Sequence, residues 1–427
     1  MRQTSLFIDD SLPATNATTS TFADNLTLPI HRWFRYPAGF SAIWVRQLIG
    51  REMTGGRRTV LDPFVGSGTV LLEGEASGVE TVGIESHPFV ARVAKAKLLW
   101  HASHREFLNY AVAVLSRAKR MTGTANGYPK LIEKCFAPDS LKKLDTLRRA
   151  WEEDNDETPN SELTWLALTS ILRECSTAGT APWQYVLPRK KKARTVDPYE
   201  AFESKVILMS SDMSMRRLRS LSARARLLQE DARSCASLPD AWADLVITSP
   251  PYANNYDYAD ATRLEMSFFG EVQSWGDLQD AVRRHLIRAC TQHVAELNGQ
   301  TNKMLTDPLL VPIREEIAKV CTLLEAEREH HGGKKPYHTM IAAYFSDMAR
   351  VWVALRRVTA RGALVCFVVG DSAPYGIYVP VDRWLGELAV AAGFKSFSFE
   401  KLRSRNIKWK NRKHRVPLHE GCLWIEG

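Results

Sequence analysis

The sequence predicts an α/β protein with a doubly wound, mostly parallel, seven-stranded Rossmann-like sheet and two largely helical inserts. Three observations support this fold class. Short apolar runs alternate with helical segments towards both ends of the chain, a glycine-containing turn joins the first strand to a helix, and two long segments of helical pattern interrupt the alternation. With 427 residues, the chain is too long for one ordinary core, so it requires two domains or one domain with a large insertion.

The first half of the predicted sheet lies within the first hundred residues. It follows a Ser/Thr/Asn-rich segment at 1–28, which we expect to be a flexible arm, and a helix beginning near Ile43. In chain order, the next elements are a strand at 59–61, a turn at 62–69, a helix through Gly74, a strand at 81–84 and a helix from 88 to about 100. This order is typical of a parallel sheet, in which a crossover helix follows each strand.

The remaining strands return after a long helical stretch and complete the sheet. They are predicted at 227–229, 245–247, 363–369, 394–399 and 422–425, with helices at 337–358 and 381–392. These positions divide the chain into a sheet core and two inserts. The expected domains are the arm at 1–28, a core formed by 29–100, 226–260 and 337–427, and inserts at 101–225 and 261–336.

Charge and cysteine content narrow the class of protein. Lys and Arg number 57 against 48 Asp and Glu, and the net charge of +9 suits a polyanionic partner. The seven cysteines include no CxxC pair, which favours a reducing cytoplasm and argues against a structural zinc site, so we expect no metal. The chain has neither an N-terminal secretion signal nor a run of roughly 20 apolar residues, so we expect a soluble cytoplasmic protein with no membrane partner.

The turn at 62–69 is the first candidate binding element. Gly66 and Gly68 let the backbone pass close to a ligand, and the helix that follows offers its N-terminal N–H groups. Glu85 ends the next strand, about 20 residues further on, where an acid can bind the two hydroxyls of a ribose. A dinucleotide motif would carry a third glycine where this chain has Leu71. The pattern predicts a nucleoside pocket without a pyrophosphate; the alternative is an ordinary tight turn.

The second candidate element is the turn from Thr248 to Tyr252, which closes a predicted buried strand. Strand exits are where open parallel sheets bind their ligands. Here the Ser249 hydroxyl and the Pro250 carbonyl can accept hydrogen bonds from an amino group, and the prolines hold the loop in one shape. The Tyr252 ring can stack on a flat base. Taken alone, the segment could also be a proline turn with a core tyrosine.

The two turns together resemble a known family. The motifs at 62–69 and 249–252 are similar to those of the S-adenosylmethionine-dependent amino-methyltransferases of DNA, the cytosine-N4 and adenine-N6 enzymes of restriction–modification systems. In that family the first motif binds the methionine part of S-adenosylmethionine and the second is the catalytic loop. Residues 36–40 resemble the additional cofactor motif of the family. The resemblance covers the predicted sheet core, and the two inserts match none of its motifs.

The resemblance implies roles for individual residues. The implied catalytic residues are Ser249, Pro250, Pro251 and Tyr252. The implied cofactor-binding residues are Tyr36, Ala38, Phe40, Asp62, Pro63, Phe64, Gly66, Ser67, Gly68, Thr69, Glu85, Ser86, Asp231 and Ala232. In this set Glu85 matches the ribose-binding acid, and Asp231 matches the residue near the adenine of the cofactor.

The available groups also indicate a mechanism. The lone pair of an exocyclic amine is conjugated into the base, so hydrogen bonds from its N–H groups to Ser249 and Pro250 would localise that pair for in-line attack on a methyl group. A paired base hides its amine, and we therefore expect the target base to leave the duplex and stack on Tyr252. The serine resembles the cytosine-N4 enzymes. The alternatives are adenine N6, an RNA base, and an inactive nucleic-acid-binding module of the same fold.

Three basic clusters are candidate DNA contacts. They are Arg189, Lys190, Lys191, Lys192 and Arg194; Arg216, Arg217, Arg219, Arg224 and Arg226; and Lys401, Arg403, Arg405, Lys408, Lys410, Arg412, Lys413 and Arg415. The third also contains Trp409, and basic stripes with aromatic residues suit phosphate contact plus stacking. From it we select Arg403, Arg405, Lys408, Trp409, Lys410, Arg412 and Lys413 as DNA-binding residues. Each cluster alone could equally be a solvated charged face.

The expected partners follow from the same resemblance. They are double-stranded DNA with its target base flipped and, as a further candidate, a cognate restriction or defence nuclease. Either insert could read the target sequence. Residues 254–260 extend the catalytic turn and could line the pocket of the flipped base or cap the following helix.

Overall fold

The computed structural model describes residues 23–181, 184–217, 223–405 and 416–427. Within these residues the chain forms a seven-stranded sheet and a separate two-stranded hairpin. The strands are β1 (Thr59–Asp62), β2 (Glu80–Ile84), β3 (Ala178–Thr180), β4 (Val186–Lys191), β5 (Arg226–Leu228), β6 (Ala243–Thr248), β7 (Thr359–Gly370), β8 (Ser396–Arg405) and β9 (Leu418–Glu426).

The seven-stranded sheet is doubly wound, as predicted. Its strand order is β5-β2-β1-β6-β7-β9-β8. The five strands from β5 to β7 pair in parallel, and β9 runs antiparallel to both β7 and β8. The chain builds outward from β1 through β2 to β5, and then returns to the other side of β1 with β6. The order therefore reverses between β1 and β6, and ligands of such sheets bind at the carboxyl ends of the strands at this point.

Helices cover the sheet and fill both inserts. Among the described residues the α-helices are α1 (Ala42–Thr54), α2 (Thr69–Ala76), α3 (Pro88–Leu98), α4 (His104–Ala118), α5 (Lys130–Cys135), α6 (Pro138–Glu153), α7 (Pro159–Cys175), α8 (Pro198–Arg217), α9 (Tyr258–Ala261), α10 (Arg263–Phe268), α11 (Leu278–Ala281), α12 (Thr301–Leu305), α13 (Arg314–Arg328), α14 (Tyr337–Val358) and α15 (Val381–Ala391). The longest helix, α14, has the predicted bounds. No helix in the described ranges is long and apolar enough to cross a bilayer.

The first insert packs directly on the sheet core. Its helices α4, α6, α7 and α8 contact one another, and α7 also packs on α3. The Phe89 and Trp165 rings meet edge to face with centroids 5.7 Å apart, which joins α3 to α7 in one hydrophobic core. Arg173 on α7 donates to both carboxylate oxygens of Glu265 on α10, at 2.5 and 3.0 Å. The first insert is therefore fixed to both the sheet core and the second insert.

The hairpin β3–β4 is an element that the sequence pattern did not predict. The first insert was expected to be largely helical, and its helices bear this out, but the basic segment after Val186 lies on a strand. β3 and β4 pair antiparallel, with a register shift between Ala178 and Gly179. The hairpin follows α7 and precedes α8 in the chain, and β4 contacts α5.

Candidate functional site

The loops after β1 and β6 lie side by side at the point where the strand order reverses. Asp62 at the end of β1 and Thr248 at the end of β6 are both buried, and the Thr248 hydroxyl donates to Asp62 Oδ1 at 2.6 Å. The Phe64 N–H donates to the same oxygen at 3.0 Å. Burial, the largest influence, raises the pKa of Asp62 to about 7, against the lowering effect of these two hydrogen bonds. The two predicted motifs therefore form one structural unit.

The cofactor turn needs glycine at two positions. Gly66 has φ +53° and Gly68 has φ +93°, in the left-handed region that side chains rarely adopt. A Cβ on Gly66 would lie 3.0 Å from Cε1 of Tyr36, so the turn also approaches that ring closely. Gly68 is the N-cap of α2, and Ser67 and Thr69 on either side of it are buried. The structural reason for the Gly-x-Gly motif is thus local backbone shape together with the close approach of the Tyr36 ring.

Glu85 closes the other side of this turn. Its Oε2 accepts the Gly66 N–H and its Oε1 accepts the His87 N–H, each at 2.8 Å. Burial is the main reason why the pKa of Glu85 rises to about 7, and the nearby Asp62 carboxyl adds to the rise. Burial, followed by the charge of Glu85, also raises the pKa of Tyr36 well above its ordinary value. An acid held here can accept hydrogen bonds from the hydroxyls of a sugar.

A cleft, here called the cofactor cleft, opens beside Glu85. It is open to solvent and is lined by Tyr36, Ala38, Phe64, Gly66, Glu85, Ser86, His87, Ser249, Pro251, Tyr258, Leu286 and Ile287. Six of the predicted cofactor-binding residues are in this wall. Aromatic and aliphatic side chains surround a single acid, which is the composition that a nucleoside needs.

A second cavity, here called the base pocket, lies on the other side of Ser249. It is open to solvent and is lined by Pro37, Ala38, Gly39, Phe40, Ser249, Tyr252, Asn254, Tyr256, Tyr258, Arg403, Arg405 and Glu420. Ala38, Ser249 and Tyr258 line both cavities. Of the predicted cofactor-binding residues, Phe40 contributes to this pocket and not to the cofactor cleft. Ser249 therefore stands in the wall that the two cavities share.

The Ser249 hydroxyl has its proton engaged. It donates to the Val368 carbonyl of β7 at 3.2 Å, so its lone pairs remain available to accept hydrogen bonds. Tyr252, three residues on, has its ring under the Arg405 guanidinium, whose Cζ is 5.4 Å from the ring centroid. Arg405 is held there by a hydrogen bond from Nη1 to the Asp371 carbonyl at 2.9 Å. Burial raises the pKa of the Tyr252 phenol, so the ring stays neutral at physiological pH.

The segment at 254–260 caps the following helix and also lines the second cavity. Asn254, Tyr256 and Tyr258 line the base pocket, whereas the Asp257 side chain accepts from N–H groups of the first turn of α9. Asp257 also binds buried Arg283 through Oδ2 at 2.8 Å. Burial alone would raise the pKa of Asp257, but hydrogen bonds from His293 and Arg283 lower it to about 2. This acid therefore stays charged and holds the start of α9 in place. That the cavity receives a flipped base stays a prediction.

Two predicted cofactor-binding residues lie elsewhere in the described structure. The carboxylate of Asp231, after β5, is held by Arg233 through Nη2 at 2.6 Å and Nε at 2.8 Å. Ala232 is buried in the core. Neither residue is in the wall of the cofactor cleft. Their assignment to the adenine end of the cofactor stays a prediction.

The predicted DNA-binding residues divide into two groups. Arg403 and Arg405 are on β8 and line the base pocket, where the Arg403 Nε donates to Glu420 Oε1 at 3.0 Å. The other five predicted residues lie outside the described residues, namely Lys408, Trp409, Lys410, Arg412 and Lys413.

Four cavity residues were missed in the sequence, namely Glu420 in the base pocket and His87, Leu286 and Ile287 in the cofactor cleft. Glu420 is 3% exposed and enters the base pocket because β9 pairs with β8 so that Arg403 faces it. No local motif marks Glu420. Tyr258, which lies in both cavities, belongs to the segment 254–260 that was a candidate lining.

Comparison with known proteins agrees with the resemblance predicted from the motifs. No protein-family model matches the chain. The chain is 25% identical over 405 residues to the Type II methyltransferase M.AvaI of Nostoc sp. and to the protein of the same name from Anabaena variabilis, covering 88% of this chain and 81% of each relative. It is 26% identical over 430 residues to the Type II methyltransferase M.BsoBI of Geobacillus stearothermophilus, covering 90% of this chain and 82% of the relative. The predicted resemblance to restriction–modification methyltransferases is confirmed.

Proposed function

We propose that this protein is an S-adenosylmethionine-dependent DNA methyltransferase that methylates the exocyclic amine of a flipped base, with cytosine N4 as the preferred target. One observation carries the proposal. Ser249 lies in the wall shared by a cleft built around Glu85 and a second, aromatic pocket. A transferase that moves a group between two bound molecules needs its acceptor and donor sites to meet at such a wall.

The cofactor cleft fits S-adenosylmethionine. Its acid, Glu85, suits the ribose hydroxyls, and Gly66, whose N–H binds that acid, brings backbone without a side chain to the same wall. The turn of Ser67 and Gly68 begins α2, whose N-terminal N–H groups suit the carboxylate of the methionine part. When bound, S-adenosylmethionine supplies a methyl group on a sulfonium, which is already a strong electrophile. The protein then has mainly to position the amine.

Ser249 and Pro250 would position that amine. Because the Ser249 hydroxyl donates to the Val368 carbonyl, its oxygen is oriented to accept an N–H from the target amine. The carbonyl of Pro250 can accept the second N–H, and Pro251 removes the backbone donor that would compete for it. Two accepted hydrogen bonds draw the amine towards tetrahedral geometry, and its lone pair then faces the cofactor cleft.

Tyr252 and Arg405 would hold the base itself. A target base has to leave the duplex to expose its amine to this site. The Tyr252 ring offers it a flat face, and the position of the Arg405 guanidinium over that ring limits the tyrosine to one orientation. The net charge of +9 supports a DNA substrate.

The polar groups of the base pocket are compatible with a cytosine. Arg403 and Arg405 bring guanidinium donors into the pocket, and Glu420 orients them. Cytosine presents the acceptor N3 beside its amine and the O2 carbonyl next to N3, and guanidinium groups can donate to both. Ser249 in the first position of the catalytic turn also resembles the cytosine-N4 enzymes. Adenine N6 is the alternative target within the same mechanism.

Methyl transfer with radiolabelled S-adenosylmethionine tests the proposal. Purified protein is incubated with synthetic duplex DNA of mixed sequence or with total RNA, and incorporated label is counted. We expect label in duplex DNA. Label only in RNA would replace the DNA substrate by RNA, and failure to bind S-adenosylmethionine by calorimetry would favour an inactive binding module.

Two further parts of the proposal concern the setting of the protein in the cell and the roles of its core and inserts. On the resemblance to restriction–modification enzymes, the protein would act in the cytoplasm beside a cognate restriction or defence nuclease. The core formed by 29–100, 226–260 and 337–427 would carry out the methyl transfer. The inserts at 101–225 and 261–336 would then contribute target recognition.

A further inference from the structure

The hairpin β3–β4 and the residues just after it carry an unusual run of cations. The basic residues of this run are Arg189, Lys190, Lys191, Lys192 and Arg194. In the described part of the chain, no carboxylate lies within ion-pair distance of any of these five side chains. Other cations of the same insert are paired, such as Arg117 with Asp154 and Lys143 with Asp197. A dense run of cations without acids repels itself unless an anionic partner covers it.

The five cations are not equivalent. The Lys191 ammonium donates to the Lys134 carbonyl at 2.9 Å, and the Lys192 ammonium donates to the Arg173 carbonyl, so both stabilise the insert. Arg189, Lys190 and Arg194 are exposed. These three are the side chains that can contact a partner without breaking the fold.

The hairpin is fastened to the catalytic turn. The Tyr185 hydroxyl, at the start of the second strand, accepts the Asp257 N–H at 2.7 Å. The Tyr185 ring also packs on Tyr256, with centroids 5.6 Å apart, and Tyr256 lines the base pocket. The residue that precedes β4 therefore contacts the segment that lines the base pocket through both a hydrogen bond and a ring contact.

A second set of bonds ties the hairpin to the cofactor motif. Gln184 is buried, and its side-chain Nε2 donates to the Arg35 carbonyl at 3.2 Å. The main-chain carbonyl of Gln184 accepts a hydrogen bond from Arg173 at 2.7 Å. Arg35 directly precedes Tyr36, which lines the cofactor cleft. The hairpin is therefore positioned from both sides of the active site.

We propose that the hairpin β3–β4 is a phosphate-binding arm that holds the DNA backbone next to the flipped base, through Arg189, Lys190 and Arg194. The inference rests on the proposed DNA methyltransferase function and adds to it the surface that holds the duplex. A strand rises about 3.3 Å per residue, so β4 places Arg189 and Lys190 roughly 13–17 Å from the Tyr185 anchor. Each strand of DNA carries a phosphate about every 3.4 Å along the axis. The arm therefore reaches phosphates within about five base pairs of the target.

Such contacts fix register and orientation and carry no sequence information. The arm accordingly contributes affinity that does not depend on the target sequence, and the reading of the sequence belongs to other parts of the protein. The triple variant R189Q/K190Q/R194Q tests this. The measurements are its KM for a duplex substrate, its kcat, and the slope of log affinity against log salt concentration.

We expect the KM for DNA of the triple variant to rise at least about ten-fold at physiological salt, and the salt slope to fall by about 2 to 3. The kcat at saturating DNA and the dissociation constant for S-adenosylmethionine should stay unchanged. The matched control is R58Q/R361Q/K395Q, which removes three exposed cations at the amino ends of β1, β7 and β8, the opposite edge of the sheet. This control should leave the salt slope within experimental error.

The possible results separate the two proposals. If wild-type protein methylates DNA and the triple variant keeps the wild-type KM and salt slope, the phosphate-binding role of the hairpin is refuted while the proposed function stands. An equal loss in the triple variant and in the control would also refute the arm, because the effect would then reflect total charge. Wild-type protein that methylates no DNA refutes the proposed function itself. Weakened binding of RNA with unchanged binding of DNA would reassign the arm to an RNA partner.

Discussion

The Thr248 hydroxyl donates a 2.6 Å hydrogen bond to Asp62 Oδ1, and this single bond joins the loop that would bind the cofactor to the loop that would bind the amine. The two residues are 186 positions apart in the chain, with the entire first insert between them. Both are buried, so neither group has water to replace the bond. The insert can therefore vary in size without changing the relation between the two halves of the site.

Removing this bond should weaken both stability and cofactor binding. In Thr248→Val the shape is kept, but Asp62 loses a buried hydrogen bond, so we expect the free energy of unfolding to fall by about 1–3 kcal/mol in urea titration. Affinity for S-adenosylmethionine should fall as well. Thr248→Ser keeps the hydroxyl and serves as the control. Equal stability and affinity in the two variants would show that the bond does not couple the loops.

Cofactor affinity should increase with pH around neutrality. Ribose hydroxyls are bound best by the charged form of Glu85, and burial raises the pKa of this carboxyl to about 7. Its charged fraction rises about ten-fold between pH 6 and pH 8, and we expect the affinity for S-adenosylmethionine, measured by calorimetry, to rise by a similar factor. Glu85→Gln should bind more weakly and lose most of this dependence. A pH dependence of equal size in Glu85→Gln would contradict the assignment.

The same raised pKa has a consequence for stability without cofactor. The folded state binds the Glu85 proton more tightly than the unfolded state, so this residue makes stability fall as pH rises from about 4.5 to about 7, with no further change above. The difference in unfolding free energy between wild type and Glu85→Gln isolates this contribution. A difference that grows in the opposite direction over this interval would rule it out.

Gly66 should tolerate no side chain. Its φ is +53°, and a Cβ at this position would lie 3.0 Å from the Tyr36 ring, so Gly66→Ala strains the turn and displaces the ring. We expect at least about a ten-fold loss of S-adenosylmethionine affinity. The control is Gly50→Ala within α1, where a Cβ meets no atom within 4 Å and alanine should raise stability by up to about 1 kcal/mol. Wild-type affinity in Gly66→Ala would disprove the proposed close approach.

Ser249→Ala should separate catalysis from cofactor binding. The change removes an acceptor that is needed only when the amine becomes tetrahedral, and such groups contribute about 10²-fold or more to kcat. The dissociation constant for S-adenosylmethionine should change little. Single-turnover methyl transfer and calorimetry measure the two quantities. If kcat stayed at the wild-type value, Ser249 would be only a wall residue.

The strands and the two site turns could be predicted from local sequence. Buried parallel strands appear as short apolar runs, and all seven runs chosen correspond to strands of the sheet. The loops that follow β1 and β6 carry Gly-x-Gly and Ser-Pro-Pro-Tyr, whose residue types are set by backbone shape within the turn. Their meeting at the switch point follows from the strand order, which the fold class already implied.

The hairpin and Glu420 could not be predicted in this way. β3 has only three residues, and β4 includes Pro188 and three consecutive cations, so neither shows an alternating apolar pattern. Glu420 owes its place in the base pocket to antiparallel pairing with Arg403, a relation between two strands. Both features depend on non-local pairing, which single-segment patterns do not record.

Nucleoside analysis of DNA from cells that express the protein tests the central claim most directly. DNA from cells expressing wild type and from cells expressing Ser249→Ala is digested to nucleosides and analysed by mass spectrometry. We predict N4-methylcytosine in the wild-type sample and its loss in the Ser249→Ala sample. N6-methyladenine without N4-methylcytosine would contradict the choice of base, and the absence of both modified nucleosides from wild-type DNA would contradict DNA amine methylation itself.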